Sequence, residues 1–205
     1  MEKQKFFSAK NIAILGVLLA LVIVLQALGG SINIGAVQLN FTLIPIVLGA
    51  LVLGPWAGAF LGLACGVVIL IQVIMAPGGF YYIIWSYNPI ITVITCLSKT
   101  TLAGLAAGFL FQLIEKKNRL VAVFVASGIV PIINTAVFVL CCLWMNEGVG
   151  AFQNLLPDFA GMNMFVFILV GLVTFNFFIE FGINLLVAPG IHTVYKVVEK
   201  RIQNR

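Results

Sequence analysis

Six apolar runs, separated by short polar or Gly/Pro-rich breaks, constrain this chain more than any motif in it. They cover approximately Asn11 to Leu28, Phe41 to Leu53, Ala57 to Met75, Pro89 to Ile114, Leu120 to Trp144 and Asn163 to Pro189. A helix needs roughly 20 apolar residues to cross the hydrocarbon of a bilayer. The runs therefore predict an all-α integral membrane protein of six transmembrane helices, both termini cytoplasmic. The second run is short, so it either begins earlier, near Val37, or stops short of one interface. Composition agrees: 62% of the residues are hydrophobic and 8% charged, with a mean hydropathy of +1.19, too little polar surface for a soluble domain. The net charge of +5 is accordingly no nucleic-acid footprint. The expected organisation is one six-helix membrane domain over residues 1–205, with a cytoplasmic amino end at 1–10 and a basic cytoplasmic tail at 190–205.

Basic residues set the orientation. Lys3, Lys5 and Lys10 precede the first run, Lys116, Lys117 and Arg119 fill the fourth connection, and Lys196, Lys200, Arg201 and Arg205 follow the sixth. The first, third and fifth connections carry no Lys or Arg, and the fifth carries Glu147 and Asp158. Six spans with both ends inside satisfy this pattern. The break Gly54-Pro55-Trp56-Ala57-Gly58 reads as a tight turn, with Trp56 at an interface. The competing reading of the start is a cleavable signal peptide ending near Ala27-Leu28-Gly29, which would leave five spans.

The four cysteines, Cys65, Cys96, Cys141 and Cys142, lie in apolar runs with no CxxC pair and read as buried thiols. His192 lies in the basic segment, so no catalytic residue and no metal site is expected. Two charges interrupt the apolar runs: Lys99 in the fourth and Glu180 in the sixth. An ionised side chain near the bilayer centre costs roughly 2.5 to 3.5 kcal/mol on insertion scales. Either the two neutralise each other as a structural pair or they serve a site.

Depth relates these charges to other polar residues. Lys99, ten residues past Pro89, lies about 15 Å inside the membrane, and Asn134, ten before Trp144, lies at about the same depth. Asn176 lies about 20 Å down, with Glu180 and Asn184 continuing its helix face at i+4 and i+8. Lys99 and Glu180 then differ in depth by about 10 Å, too far for a comfortable pair. This is the layout of a pocket open to the outer half of the membrane, with Glu180 towards its floor. The third connection, residues 75–88, joins Pro77-Gly78-Gly79 to Phe80, Tyr81, Tyr82, Trp85 and Tyr87, with Asn88 at its end. It reads either as an interfacial aromatic belt or as a lid that covers an organic ligand. In the first run Ala9, Ala13, Gly16 and Ala20 form a smooth stripe that admits close approach of another helix, of this chain or of a partner. Ala103, Gly104, Ala107 and Gly108 repeat the theme in the fourth run and suit internal packing.

That first-helix stripe, the run from Leu39 to Gly62 (LNFTLIPIVLGALVLGPWAGAFLG) and six spans in about 200 residues resemble the substrate-binding S component of energy-coupling factor (ECF) vitamin transporters. The resemblance covers nearly the whole chain and is most specific from Pro45 to Gly62. It implies a bacterial cell-membrane subunit that binds a vitamin from outside, then joins a membrane T component and two cytoplasmic ATPases. The family's Ala-x-x-x-Ala motif falls on Ala9 to Ala13 and, with Gly in first place, on Gly16 to Ala20, making this stripe the implied T-component interface. No G-x-x-x-x-G-K-[ST] loop is present, so ATP is expected to serve only the partner subunits, and no cofactor is expected here. Where many relatives carry Pro-Arg, this chain has Ser98-Lys99, a point charge that suits one carboxylate or phosphate oxygen. The expected substrate-binding residues are Lys99, Asn134, Asn176, Glu180, Asn88, Tyr81 and Trp85. A pantothenate-like anion is favoured, with riboflavin or folate as alternatives. A reading from a different class is an autonomous ion-coupled carrier with Glu180 as its proton or cation site.

Overall fold

Every apolar run folds as helix, because backbone N–H and C=O groups away from water must find partners within their own segment. The computed structural model describes residues 8–29, 33–34, 37–38, 40–75 and 79–203. Lys3, Lys5, Leu39, Ala76, Pro77, Gly78 and Arg205 lie outside the described residues. The long helices are α1 (Ala9–Gly29), α3 (Pro55–Met75), α5 (Pro89–Ile114) and α6 (Arg119–Trp144). A fifth helical rod comprises α8 (Met164–Phe167), a π-helical segment (Ile168–Val173) and α9 (Thr174–Gln203). These five are long and apolar enough to cross a membrane.

The sixth expected span differs. The second apolar run forms α2 (Leu43–Leu53), 11 residues and hence about 16 Å long, half the hydrocarbon thickness. It does not begin near Val37. Val37–Gln38 (β2) instead pairs antiparallel with Asn33–Ile34 (β1), and a backbone bonded into a ladder cannot also continue a helix. Pro189 does not end the last helix either; it sits inside α9, so the basic segment described to Gln203 is helical.

The connections are folded too. The third holds α4 (Gly79–Tyr87) and the fifth holds α7 (Asn146–Gln153) with a 3-10 turn at Pro157–Phe159. Phe80 of α4 is buried and meets Phe138 of α6 and Phe152 of α7 edge to face at 5.9 and 5.2 Å between centroids. Such geometry adds to the apolar burial of the rings themselves. The two short helices thereby cap one end of the bundle.

A seam of small residues sets how closely α3 and α5 approach. Gly58 lies against Gly104, Gly62 against Thr100, Gly66 against Cys96 and Pro55 against Gly108. The helices are antiparallel, so residues four apart on one meet residues four apart on the other. The Thr100 hydroxyl donates to the Gly62 carbonyl at 2.6 Å across this contact. Ala103, Gly104, Ala107 and Gly108 are all buried, in keeping with internal packing. Gly54, with φ 99°, makes the reversal between α2 and α3 in a backbone region that disfavours other residues.

At the end remote from α4, Arg119 makes a two-pronged ion pair with Glu199 at 2.6 and 3.0 Å and lies 5.3 Å from the Tyr195 ring centroid. The Tyr195 hydroxyl donates to Glu115 at 3.4 Å. This cluster ties α5, α6 and α9 together. The outer surface carries large exposed apolar side chains such as Leu186, Ile90 and Phe175, which hydrocarbon accepts and water would not. Trp56 and Trp144 are 69% and 68% exposed at opposite ends of the bundle, where aromatic belts form.

A Cβ at Gly62 would collide with the Thr100 backbone, whereas one at Gly182 meets nothing within 4 Å. Gly62→Ala is therefore expected to destabilise the protein by about 1–3 kcal/mol, and Gly182→Ala to stay within about 0.5 kcal/mol. Thermal unfolding in detergent measures both.

Candidate functional site

The seam that joins α3 and α5 also aims Lys99. Because Thr100 is held against Gly62, its neighbour Lys99 is rotated off the seam and points towards α4 and α6. Its ammonium donates to the Tyr81 hydroxyl at 3.4 Å and lies 5.4 Å from the Tyr81 ring centroid and 5.5 Å from that of Phe138. Aromatic faces attract a cation, yet they do not neutralise it. Lys99 is 5% exposed and Glu180 7%, and the two form no ion pair with each other.

Both charges line one cavity, with about 510 Å³ of space not occupied by protein, its open mouth included. Gln26 enters from α1, Asn40 from the start of α2, Ile69 from α3, Tyr81 from α4 and Lys99 from α5. Asn134, Thr135 and Phe138 face it from α6, and Leu172, Val173, Asn176, Phe177 and Glu180 from the last rod. A few polar groups set among apolar and aromatic walls is the composition that small-molecule pockets share.

The polar groups differ in how well they are satisfied. One Glu180 oxygen accepts the Asn40 N–H at 2.9 Å. The Thr42 hydroxyl bonds the Asn40 side-chain oxygen and lies 3.0 Å from the Cys65 sulfur. Cys65 donates to Gln26 at 3.6 Å, and Gln26 donates to Gln72 at 3.0 Å. This chain of contacts links α9 through the half-length α2 to α3 and α1. By contrast, both side-chain amide atoms of Asn176 and the side-chain oxygen of Asn134 are buried without a hydrogen-bond partner among the described residues.

Of the residues expected from sequence, the structure brings Lys99, Asn134, Asn176, Glu180 and Tyr81 together at the cavity. It does not bring Trp85 or Asn88 there. Trp85 lies one turn beyond Tyr81 on α4 and packs against the apolar core, and Asn88 stands at the α4–α5 junction. Asn184 continues the Asn176–Glu180 face but donates to the Glu180 backbone carbonyl at 2.8 Å, away from the main cavity. Gln26, Asn40, Thr135, Phe138 and Phe177 were missed. Gln26 carried a signal of the kind that marked Asn134, a lone amide in an apolar run. Phe138 and Phe177 carried none among 17 phenylalanines.

The opposite face of α1 is open. Ala9, Ala13, Gly16 and Ala20 are exposed, while Leu18, Val22 and Gln26 turn into the bundle. No atom lies within 4 Å of where a Gly16 Cβ would be. The stripe therefore packs against no other described helix of this chain.

The family described as ECF transporter, substrate-specific component, matches residues 10–192, a span that contains every cavity residue and the seam. The chain belongs to this family. A comparison with curated proteins found no match. As an ECF substrate-specific component, the protein is a multi-pass membrane transport subunit; its family is one of transporters, not enzymes.

Within this ECF subunit the Asn40–Glu180 contact pins α2 to α9. Glu180→Leu leaves a buried N–H without its acceptor and is expected to cost about 1–3 kcal/mol, whereas Glu180→Gln keeps an acceptor and retains most of the stability. Unfolding midpoints of the two variants against the parent decide this.

Proposed function

We propose that this subunit captures a water-soluble vitamin or vitamin precursor from outside the cell and delivers it to a T component driven by two ATPases. The observation that carries this reading is Lys99, a buried cation with no carboxylate on it among the described residues, in a cavity where the Asn176 amide and the Asn134 side-chain oxygen have no partner. An anionic group of the ligand completes that cation, as the carboxylate of a pantothenate-like molecule would. Asn134 and Asn176 hydrogen-bond the ligand's polar atoms, and α4, carrying Tyr81, covers it. Riboflavin and folate stand beside pantothenate as candidates, since aromatic walls and amides also suit ring systems. Both termini are cytoplasmic in this reading, and residues 1–205 act as one membrane unit. The exposed stripe Ala9, Ala13, Gly16 and Ala20 supplies the T-component surface, because small residues admit close helix approach and this face has no partner among the described residues.

Identifying by mass spectrometry the small molecule that copurifies with the protein tests the reading directly. Lys99→Ala is expected to weaken binding of that molecule by roughly 10- to 150-fold, the range for a hydrogen bond to a charged group. Unchanged affinity would remove the cation from the site. Gly16→Leu is expected to leave ligand affinity intact while abolishing ATP-driven uptake by the reconstituted complex. Uptake into vesicles by the purified chain alone would instead favour an ion-coupled carrier built on Glu180.

A further inference from the structure

We propose that the ligand presents to Asn176 a planar ring edge with a hydrogen-bond donor and an acceptor side by side: a lactam, ureido, imide or amino-aza edge. The inference rests on the vitamin-capture reading and narrows its substrate class to nitrogen heterocycles.

Asn176 is 7% exposed, lines the cavity and has no partner on either amide atom. Buried amides are nearly always bonded in folded proteins, so a side chain with both groups open is waiting for something. Its neighbours on this face each make at least one bond to the protein, although the Asn184 side-chain oxygen is left open. One turn on, Glu180 holds Asn40, and one turn further Asn184 bonds the Glu180 carbonyl. Only the first of the three polar residues on this face leaves its hydrogen-bonding capacity wholly unspent on the protein.

The geometry of an amide defines its complement. Its N–H and C=O lie in one plane and point the same way, so full pairing needs an acceptor and a donor adjacent in one plane. Asparagine pairs in this manner with the edge of adenine. A carboxylate offers acceptors alone. An open-chain secondary amide is trans, with its N–H and C=O on opposite sides, and meets only one of the two atoms. A ring holds them on the same side. Exchanging the oxygen and nitrogen of Asn176 leaves one donor and one acceptor, so the requirement does not depend on that assignment. The surroundings fit a flat ring: Phe138 and Phe177 line the cavity as aromatic walls, and the open oxygen of Asn134 takes a second donor. With Lys99 on an anionic substituent, the cavity reads both a ring edge and a charge.

Dissociation constants of the purified, ligand-stripped protein for pantothenate, riboflavin and folate test this, with the parent, Asn176→Leu, Asn176→Asp and Lys99→Ala. Riboflavin and folate carry ring edges of the required kind; pantothenate has an open-chain amide, a carboxylate and two hydroxyls on rotatable bonds, but no ring edge. The expected result is tightest binding of a ring-bearing probe, weakened roughly 5- to 150-fold by either Asn176 substitution, the range for two hydrogen bonds. Methylating the ring N–H of that probe is expected to weaken binding to the parent protein similarly, a readout independent of how the variants fold. Tight pantothenate binding that is sensitive to Lys99→Ala but within twofold for both Asn176 variants would overturn the ring edge and leave vitamin capture standing. Where none of the three binds, the copurifying molecule decides: a nitrogen heterocycle supports the proposal, and a molecule without such an edge overturns it. Absence of any bound small molecule sinks both readings.

Discussion

The close contact of α3 with α5 is the constraint on which the rest of the molecule depends. In hydrocarbon the association of helices gains little from burying apolar surface, because lipid tails are as apolar as leucine, and backbone proximity takes its place. Gly58, Gly62 and Gly66 meet Gly104, Thr100 and Cys96 with no room for a Cβ between them. That contact fixes the rotation of α5, and the rotation fixes Lys99. A looser pair of helices would leave a four-carbon side chain free to turn its charge towards an interface. Here it is held under Tyr81 and beside Phe138.

The half-length α2 follows from the same economy. Because α2 starts at Leu43, the backbone of Asn40 to Thr42 reaches the level of Glu180, well inside the bundle. Irregular backbone at that depth is tolerated only where protein or a cavity surrounds it, and both are present. The Asn40 N–H goes to Glu180, and the chain of contacts through Thr42, Cys65 and Gln26 absorbs the polar atoms that follow. Lys99 and Glu180 consequently answer to different partners although they line one cavity. Glu180 is engaged by the protein, and Lys99 faces the open space with aromatic company only.

α1 presents two unlike, opposite faces. Its inner face sends Gln26 to the cavity, while its outer face shows the alanine and glycine stripe. Apolar residues dominate both faces, so amphipathicity distinguishes neither; side-chain size does. The short helices α4 and α7, joined through Phe80 and Phe152, cover the end of the bundle above Lys99. The Arg119–Glu199 pair closes the other end.

The sequence by itself determined the membrane class, the extent of the first four long helices and the identity of the two charges. Each of these is local: twenty apolar residues make a span wherever they occur, and a lysine in hydrocarbon is costly whatever surrounds it. Even the convergence of Asn134, Asn176 and Lys99 was legible as a match of depths, since rise per residue is fixed. Rotation about the helix axis was not legible, because spans apolar on every side give no preferred direction. Phe138 and Phe177 therefore entered the cavity unannounced, and Trp85 stayed out of it. The boundary of α2 was hidden for a related reason: the strand pair that ends it on one side is two residues long and leaves no periodic trace. What only the tertiary structure decided was which buried polar atoms are satisfied by the protein and which are left without a partner. That distinction depends on angles between helices, and those are set by the glycine seam rather than by any one helix.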